Sequence, residues 1–224
     1  MQNFDIVRET APSKSFAAAK VRGMFDLSDD HVKEHFVGQI EYPDHWNIGV
    51  IVGASGTGKT TIAKELFPDS YFVEPAFSSD TVLNDMPVKD VELIVKTFNS
   101  VGFSSPPSWL KPYAVLSNGE KMRVQLAYAI LSDNEVIVFD EYTSVVDRNV
   151  AKIGSTAIAK AVRKSGKKFI AVACHYDILD WLEPDWVFDT NSMNMQKKNS
   201  KDLKSNLIYT NARDTGVYFA SITI

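Results

Sequence analysis

The chain has 224 residues and 45% of them are apolar, which is enough for one substantial core or two small ones. A formal net charge of −4 argues against a protein whose whole surface binds nucleic acid or anionic membrane. The charge is compatible with a local basic patch. The single cysteine, Cys174, excludes an intrachain disulfide, and with no signal-like leader and no run of ~20 apolar residues we expect a cytoplasmic protein without membrane insertion.

The first half of the chain predicts strands and one short helix. Residues 1–45 mix polar and apolar side chains and predict an antiparallel strand layer. The continuous apolar run 48–52 is typical of a strand that is covered on both faces. A helix is predicted over 60–67, where it stops before Pro68, and another strand over 70–73.

The second half alternates helices with buried strands. Helices are predicted over 87–103, 120–131 and 150–164, a loop over 104–112, and strands over 136–139 and 169–173. Such alternation predicts an α/β fold with a mostly parallel sheet. We place one domain over residues 1–190, with a helical part at about 80–131. Residues 191–224 are predicted to be a polar, lysine-rich linker followed by a strand-like tail over 216–224.

A glycine-rich loop between a predicted strand and helix indicates a phosphate site. Residues 53–60 match the G-x-x-x-x-G-K-[ST] pattern, in which glycines let backbone N–H groups turn toward phosphates. Lys59 should reach the β- and γ-phosphates, and the Thr60 hydroxyl should bind Mg²⁺. A glycine-rich turn that matches by chance is the alternative. The predicted ATP-binding residues here are Gly53, Ala54, Ser55, Gly56, Thr57, Gly58, Lys59, Thr60 and Thr61.

Two acidic residues follow the strand predicted over 136–139. A P-loop needs a carboxylate at the end of a neighbouring strand to hold the magnesium shell, and Asp140 is placed to supply it. Glu141, one position on, can polarise the attacking water as a general base. Two surface acids at a strand end would be the alternative explanation.

The segment Leu116-Ser117-Asn118-Gly119-Glu120 lies between these two motifs. Taken alone, it could be a helix N-cap. In this order it resembles the signature motif of the ABC ATPases, usually LSGGQ, with Asn118 for a glycine and Glu120 for a glutamine. The resemblance implies that Ser117, Asn118 and Gly119 contact ATP bound to the other subunit of a head-to-tail homodimer. The start of the following helix would contribute to that anion site.

Further motifs in the same order extend the resemblance over roughly residues 5–190. Residues 144–147 (SVVD) resemble the D-loop, which contacts the partner subunit. His175, after the strand-like run 169–173, resembles the switch histidine that senses the γ-phosphate and orients the catalytic water. Cys174 is interpreted as a small buried residue without a catalytic role.

Several positions depart from the family pattern. The Q-loop glutamine is missing, because residues 61–116 contain no glutamine, and Glu74 is the best substitute as a ligand of Mg²⁺. Phe25 lies about where the family places the aromatic residue that stacks on adenine, although an ordinary core phenylalanine is the alternative, and the more common case. With adenine recognition resting on that one aromatic, the choice between ATP and GTP stays open. The stretch from Gly53 to Ser117 is short, and Tyr142 replaces a proline.

These features leave three hypotheses for function. The first is a soluble, non-transport ABC ATPase. The stretches 46–67, 140–154 and 174–187 resemble an archaeal, bacterial and phage group whose members are sometimes fused to an acetyltransferase-like domain. Its partner would be a macromolecule such as nucleic acid or a DNA-acting protein, on the strength of the lysines at 197–204. The second is the ATPase subunit of a membrane transporter, against which the short helical part argues. The third is a non-hydrolysing ATP sensor, against which Glu141 and His175 argue.

Overall fold

The computed structural model describes residues 1–11, 13–26 and 32–197. The predicted tail strand over 216–224 and the lysine-rich segment beyond Lys197 lie outside the described residues. Within the described residues, no helix is both long enough and apolar enough to cross a bilayer.

Seven strands and seven α-helices make up the described part of the chain. The strands are β1 (Gln2–Thr10), β2 (Val32–Ile40), β3 (Ile48–Val52), β4 (Val136–Phe139), β5 (Lys168–Ala173), β6 (Trp186–Asp189) and β7 (Asn194–Lys197). The helices are α1 (Phe16–Phe25), α2 (Lys59–Leu66), α3 (Val91–Ser100), α4 (Pro106–Trp109), α5 (Asn118–Leu131), α6 (Arg148–Ser165) and α7 (Ile178–Leu182), with a 3₁₀ turn at Tyr113–Val115.

The central sheet has the strand order β4-β5-β3-β6-β7, and all pairs except β6–β7 are parallel. The predicted strand over 70–73 is reduced to a bridge in which Tyr71 pairs with Val138 of β4. The acidic strand β4 is the second strand from the glycine-loop strand β3, because β5 lies between them. The carboxyl ends of all three strands still meet at one edge, where residues 53–60, 140–141 and 174–175 follow them.

The core has two parts, one on each face of this sheet. On one face, Val50 and Val52 of β3 pack with residues of α3, α5 and α6. On the other face, Ile51 packs with α2 and with the β1–β2 layer. Because successive side chains of a strand point to opposite faces, the run 48–52 is buried along its whole length, as predicted.

The antiparallel layer predicted for residues 1–45 is present as a two-stranded ribbon. β1 and β2 pair from Gln2 with Ile40 to Thr10 with Val32. Phe4, Phe36 and Ile40 are its buried side chains. The connection between the strands contains α1, a helix none of whose residues is buried.

The central sheet extends beyond residue 190, where the domain boundary was predicted. β7 pairs with β6 through Asp189 and Asn194, so the ordered sheet continues to Lys197. The Lys197 ammonium also forms an ion pair of 2.9 Å with Glu41, just after β2. Residues 191–197 were predicted as linker because they are polar, but an edge strand needs only backbone partners.

Candidate functional site

The glycine-rich loop forms a turn between β3 and α2 that leaves the start of the helix open. Gly56 and Gly58 have φ angles of 83° and 81°, in the left-handed region that glycine adopts without strain. Gly58 is the N-cap residue of α2, and no side chain caps the helix there. The first N–H groups of α2 are therefore available to an anion, and the helix dipole favours one.

The Lys59 side chain is folded into this loop. Lys59 is buried, with 7% of its surface exposed, and its Nζ donates a 2.6 Å hydrogen bond to the carbonyl oxygen of Ala54. A buried ammonium needs such an acceptor. The cation therefore lies within the turn beside the open helix start.

Residues after β6 hold the other side of the loop. The hydroxyl groups of Thr57 and Thr190 are 2.6 Å apart, and the backbone N–H of Ala54 donates to Asn191 Oδ1 at 3.1 Å. A Cβ atom on Gly53 would lie 2.1 Å from Thr190 Oγ1, so only glycine fits there. Sequence reasoning missed Thr190 and Asn191. Their position directly after a strand of the parallel sheet was the available signal.

Asp140 and Glu141 lie at the end of β4, beside the start of α2. The Tyr71 hydroxyl donates to the Thr60 carbonyl at 3.1 Å, and burial, followed by the charge of Asp140, raises the pKa of Tyr71. Tyr71 therefore lies near both the first turn of α2 and Asp140. Glu141 has a φ of 51°, donates its N–H to Asp140 Oδ1 at 2.9 Å, and exposes its side chain.

The residues implied for Mg²⁺ can be tested against this geometry. Mg²⁺ usually keeps several waters and takes only one or two protein ligands in addition to phosphate oxygens. Thr60 and Asp140 are both partly exposed, and Tyr71 contacts the Thr60 carbonyl and is influenced by the charge of Asp140, so the pair fits that requirement. Within residues 1–11, 13–26 and 32–197 no group of three or more His, Cys, Asp or Glu side chains could hold a metal without such help.

Glu74, the substitute for the missing Q-loop glutamine, contacts α5. Its Oε2 accepts a 2.5 Å hydrogen bond from Gln125 Nε2, and the same amide donates to the Tyr113 hydroxyl at 2.7 Å. Burial, followed by the charge of Glu74, raises the pKa of Tyr113. Sequence reasoning missed Gln125, because nothing in its surroundings on a helical face distinguishes it. The role of Glu74 as a metal ligand stays a prediction.

Ser117 is the N-cap residue of α5, as the alternative interpretation of this segment predicted. Ser117 Oγ accepts from the Glu120 N–H at 3.3 Å, and Glu120 Oε2 accepts from the Ser117 N–H at 3.0 Å, which together form a capping box. The hydrogen bond from the Ser117 backbone, helped by Ser108 and Lys111, lowers the pKa of Glu120. Ser117 and Asn118 are exposed.

One cleft brings several predicted residues together. Glu74, Asn118 and Glu141 line it, with Gln125 and Val145. Phe25 lies elsewhere, at the end of α1, where 67% of its surface is exposed. The core alternative for Phe25 is therefore wrong, and adenine stacking stays a prediction.

His175 follows β5 and is exposed. The next two residues of the chain, Tyr176 and Asp177, form hydrogen bonds or ion pairs with other parts of the site. Tyr176 contacts Asp189 and Asn191, and Asp177 forms an ion pair with Arg148 at the start of α6. Cys174 is partly buried.

Comparison with known proteins identifies the fold. No family model matches the chain. A dimeric bacterial ABC transporter cassette has a TM-score of 0.59 at 11% identity, over 87% of this chain and 100% of the cassette. A cassette dimer in a post-hydrolysis state with ADP and phosphate bound has a TM-score of 0.58 at 12% identity, over 78% of this chain and 94% of that one. The chain therefore has the α/β fold of ABC ATPase cassettes, as predicted.

Curated relatives share shorter stretches with the chain. The ABC-type transporter MDR1 of Aureobasidium melanogenum is 32% identical over 80 residues, 36% of this chain and 6% of the transporter. The ABC multidrug transporter atrD of Emericella nidulans is 35% identical over 92 residues, 38% of this chain and 7% of the transporter. The chain thus spans less than a tenth of the length of these two relatives. Both are transporters, so they give no support to the non-transport type or to a nucleic-acid partner.

Proposed function

We propose that this chain binds Mg·ATP at residues 53–61 and hydrolyses ATP as an ABC-class ATPase. One observation carries the proposal: the N-cap residue of α2 is Gly58, which provides no side-chain cap, and the buried Lys59 follows directly. An uncapped helix start and a cation together attract a polyphosphate. The carboxylates after β4 lie at the same edge of the sheet, where they can act on the end of that polyphosphate.

The hydrolytic roles follow from the positions of four side chains. Asp140 and Thr60 would hold Mg²⁺, which supplies charge neutralisation at the phosphate oxygens when bound. Glu141 is exposed at the cleft and would accept a proton from the attacking water. His175 would sense the γ-phosphate and orient the catalytic water from the end of β5, which lies between β3, the strand before the P-loop, and β4, the strand before Glu141.

A head-to-tail homodimer would complete each ATP site. Asn118 Nδ2 donates to the Val145 carbonyl at 3.5 Å, so the residues that resemble the signature motif and the D-loop share one surface. Val145 exposes 68% of its surface there. A partner cassette would cover this apolar side chain. Ser117, Asn118 and Gly119 of one subunit would then contact the γ-phosphate of the ATP that is bound to the P-loop of the other subunit.

For the partner, the comparisons favour a membrane transporter over nucleic acid. The two curated relatives are transporters, and the dimeric cassette is described as part of one. We therefore propose that the cassette dimer acts on a membrane domain carried by another part of a longer chain or by another chain. Co-purification with a membrane protein, set against binding of labelled duplex and single-stranded DNA, separates this partner from the nucleic-acid reading.

The dimer and the chemistry are tested together with Glu141→Gln. This change should leave ATP binding intact, lower phosphate release by about 100-fold or more, and trap a dimer that light scattering detects with Mg·ATP but not with Mg·ADP. Glu135→Gln is the matched control, because Glu135 is an exposed carboxylate just before the same strand, β4. A Glu141→Gln protein that binds ATP and stays monomeric would overturn the homodimer. An unchanged rate of phosphate release would overturn the role of Glu141.

A further inference from the structure

We infer that Arg148 and Tyr176 are positioning residues, which hold the turn that carries His175 between the P-loop and the Glu141 turn. The inference rests on the proposed ATPase function. Neither residue is part of the P-loop at 53–60, the signature-like motif at 116–120 or the D-loop-like motif at 144–147. Tyr176 directly follows His175, and Arg148 contacts Asp177, the next residue along the chain.

Arg148 connects the His175 turn to the turn after β4. Its Nε donates to Asp177 Oδ2 at 3.0 Å and its Nη2 donates to Asp177 Oδ1, which makes a two-point fork. Its Nη1 donates to Thr143 Oγ1 at 3.3 Å, and its guanidinium carbon lies 4.9 Å from the centre of the Trp181 ring. Thr143 is buried and has a φ of 65°, so the backbone two residues after Glu141 is held in one conformation.

Tyr176 connects the same turn to the P-loop. Its hydroxyl donates to Asp189 Oδ2 at 3.0 Å and accepts from Asn191 Nδ2 at 2.8 Å. The same Asn191 side chain accepts the backbone N–H of Ala54 in the P-loop. Asp189 is almost fully buried at the end of β6, so this chain of hydrogen bonds starts from a fixed point.

The two connections meet on consecutive residues. The His175 side chain is exposed, so burial does not fix its position. It gains a defined position because Tyr176 is held to the P-loop side of the site and Asp177 is held to the turn after β4. The fork of Arg148 matters for orientation, because a guanidinium binds a carboxylate at two points whereas an ammonium acts as a point charge. A change in the P-loop or in the Glu141 turn would therefore be transmitted to His175.

The experiment compares steady-state ATP hydrolysis of the full chain with Arg148→Lys and with Tyr176→Phe. Each should lower kcat by about 10-fold to about 100-fold while KM for ATP stays within about twofold, because the defect lies in orientation and not in binding. Arg163→Lys is the matched control for the first variant, since Arg163 lies on the same helix and donates to the carbonyl oxygens of Leu182 and Glu183 near the other end of α7. Tyr42→Phe is the control for the second, since it also removes a partly buried hydroxyl group.

A double-mutant cycle with His175→Ala distinguishes positioning from general damage. If Arg148 acts through His175, then Arg148→Lys should lower kcat in the wild-type background and leave it unchanged, within about twofold, in the His175→Ala background. Equal reductions in both backgrounds would overturn the inference. So would a wild-type kcat in both Arg148→Lys and Tyr176→Phe.

Failure of the inference can be told apart from failure of the proposed function. A wild-type chain that neither binds fluorescent ATP nor releases phosphate would refute the ATPase itself. A wild-type chain that hydrolyses ATP, beside variants that hydrolyse it equally fast, would refute only the positioning role. Thermal unfolding of each variant and its control shows whether Tyr176→Phe, which leaves a buried Asp189 oxygen with one hydrogen bond fewer, has simply lost its fold.

Discussion

The starts of α2 and α5 are both helix N-termini assigned to the phosphates of ATP, yet they differ in how their N–H groups are satisfied. At α2, a glycine in the left-handed conformation precedes the helix and no side chain caps it. At α5, Ser117 and Glu120 form a complete capping box. A free helix end binds an anion directly, whereas a capped end must first exchange its own hydrogen bonds. The first would hold ATP in a single subunit, and the second would engage only when a partner brings ATP to it.

The largest expected effect comes from the α2 side. Lys59→Ala removes the ammonium beside the open helix start, and we expect phosphate release to fall by about 10²–10³-fold, as for the loss of one electrostatic donor to the transition state. Lys64→Ala on the same helix is the control, because Lys64 is exposed and lies over the Tyr71 ring. Similar rates for the two variants would contradict the assignment of the phosphate site.

Gly58→Ala tests why a glycine precedes α2. Alanine at this position would have to adopt a φ of 81°, and its Cβ atom would lie 2.5 Å from the Phe36 ring. We expect a loss of about 1–3 kcal/mol in the free energy of unfolding, from the strained backbone conformation. Denaturant unfolding measures it, with Gly23→Ala in α1, where a Cβ has open space, as the control. Equal stability of both variants would contradict a strained loop.

Ser117→Ala tests whether the α5 start has a role beyond capping its own helix. Loss of the cap should lower the free energy of unfolding by about 1 kcal/mol. Asp90→Ala removes the cap of α3, where Asp90 accepts from the Leu93 N–H at 3.1 Å, and should lower stability by a similar amount. Only Ser117→Ala should also weaken the ATP-dependent dimer seen by light scattering in the Glu141→Gln background. Equal dimer formation in both variants would reduce Ser117 to a structural cap.

Glu120→Gln gives the smallest and most specific effect, a dependence of stability on pH. The pKa of Glu120 lies below its ordinary value of 4.5, so its carboxylate stabilises the fold fully above about pH 4.5. That contribution is lost as the pH falls through the lower folded-state pKa. We expect the free energy of unfolding of the wild type to be about 0.3–1 kcal/mol higher than that of Glu120→Gln at pH 7. This difference should shrink as the pH falls. Glu92→Gln, in the first turn of α3, is the control. A difference that is independent of pH would contradict the capping carboxylate.

Local sequence determined the parts of this protein that depend on neighbouring residues. The apolar run 48–52, the glycine loop and the acidic pair at 140–141 predicted strands and turns that the structure confirms, because burial pattern and backbone freedom are set within a few residues. The fold class followed from the order of these elements. The choice of a non-transport type and a nucleic-acid partner had no such local basis, and the comparisons favour the transporter alternative instead.

Only the tertiary structure decided which distant residues complete the site. The insertion of β5 between β3 and β4 is a matter of strand pairing, which a single sequence does not display. Asn191 reaches the Ala54 N–H across 137 positions, from a segment whose polarity predicted a linker. Arg148 reaches Asp177 across 29 positions, and Gln125 reaches Glu74 across 51. A polar side chain has the same local signature whether it contacts water or a distant backbone group, so its partner emerges only when the strands are placed side by side.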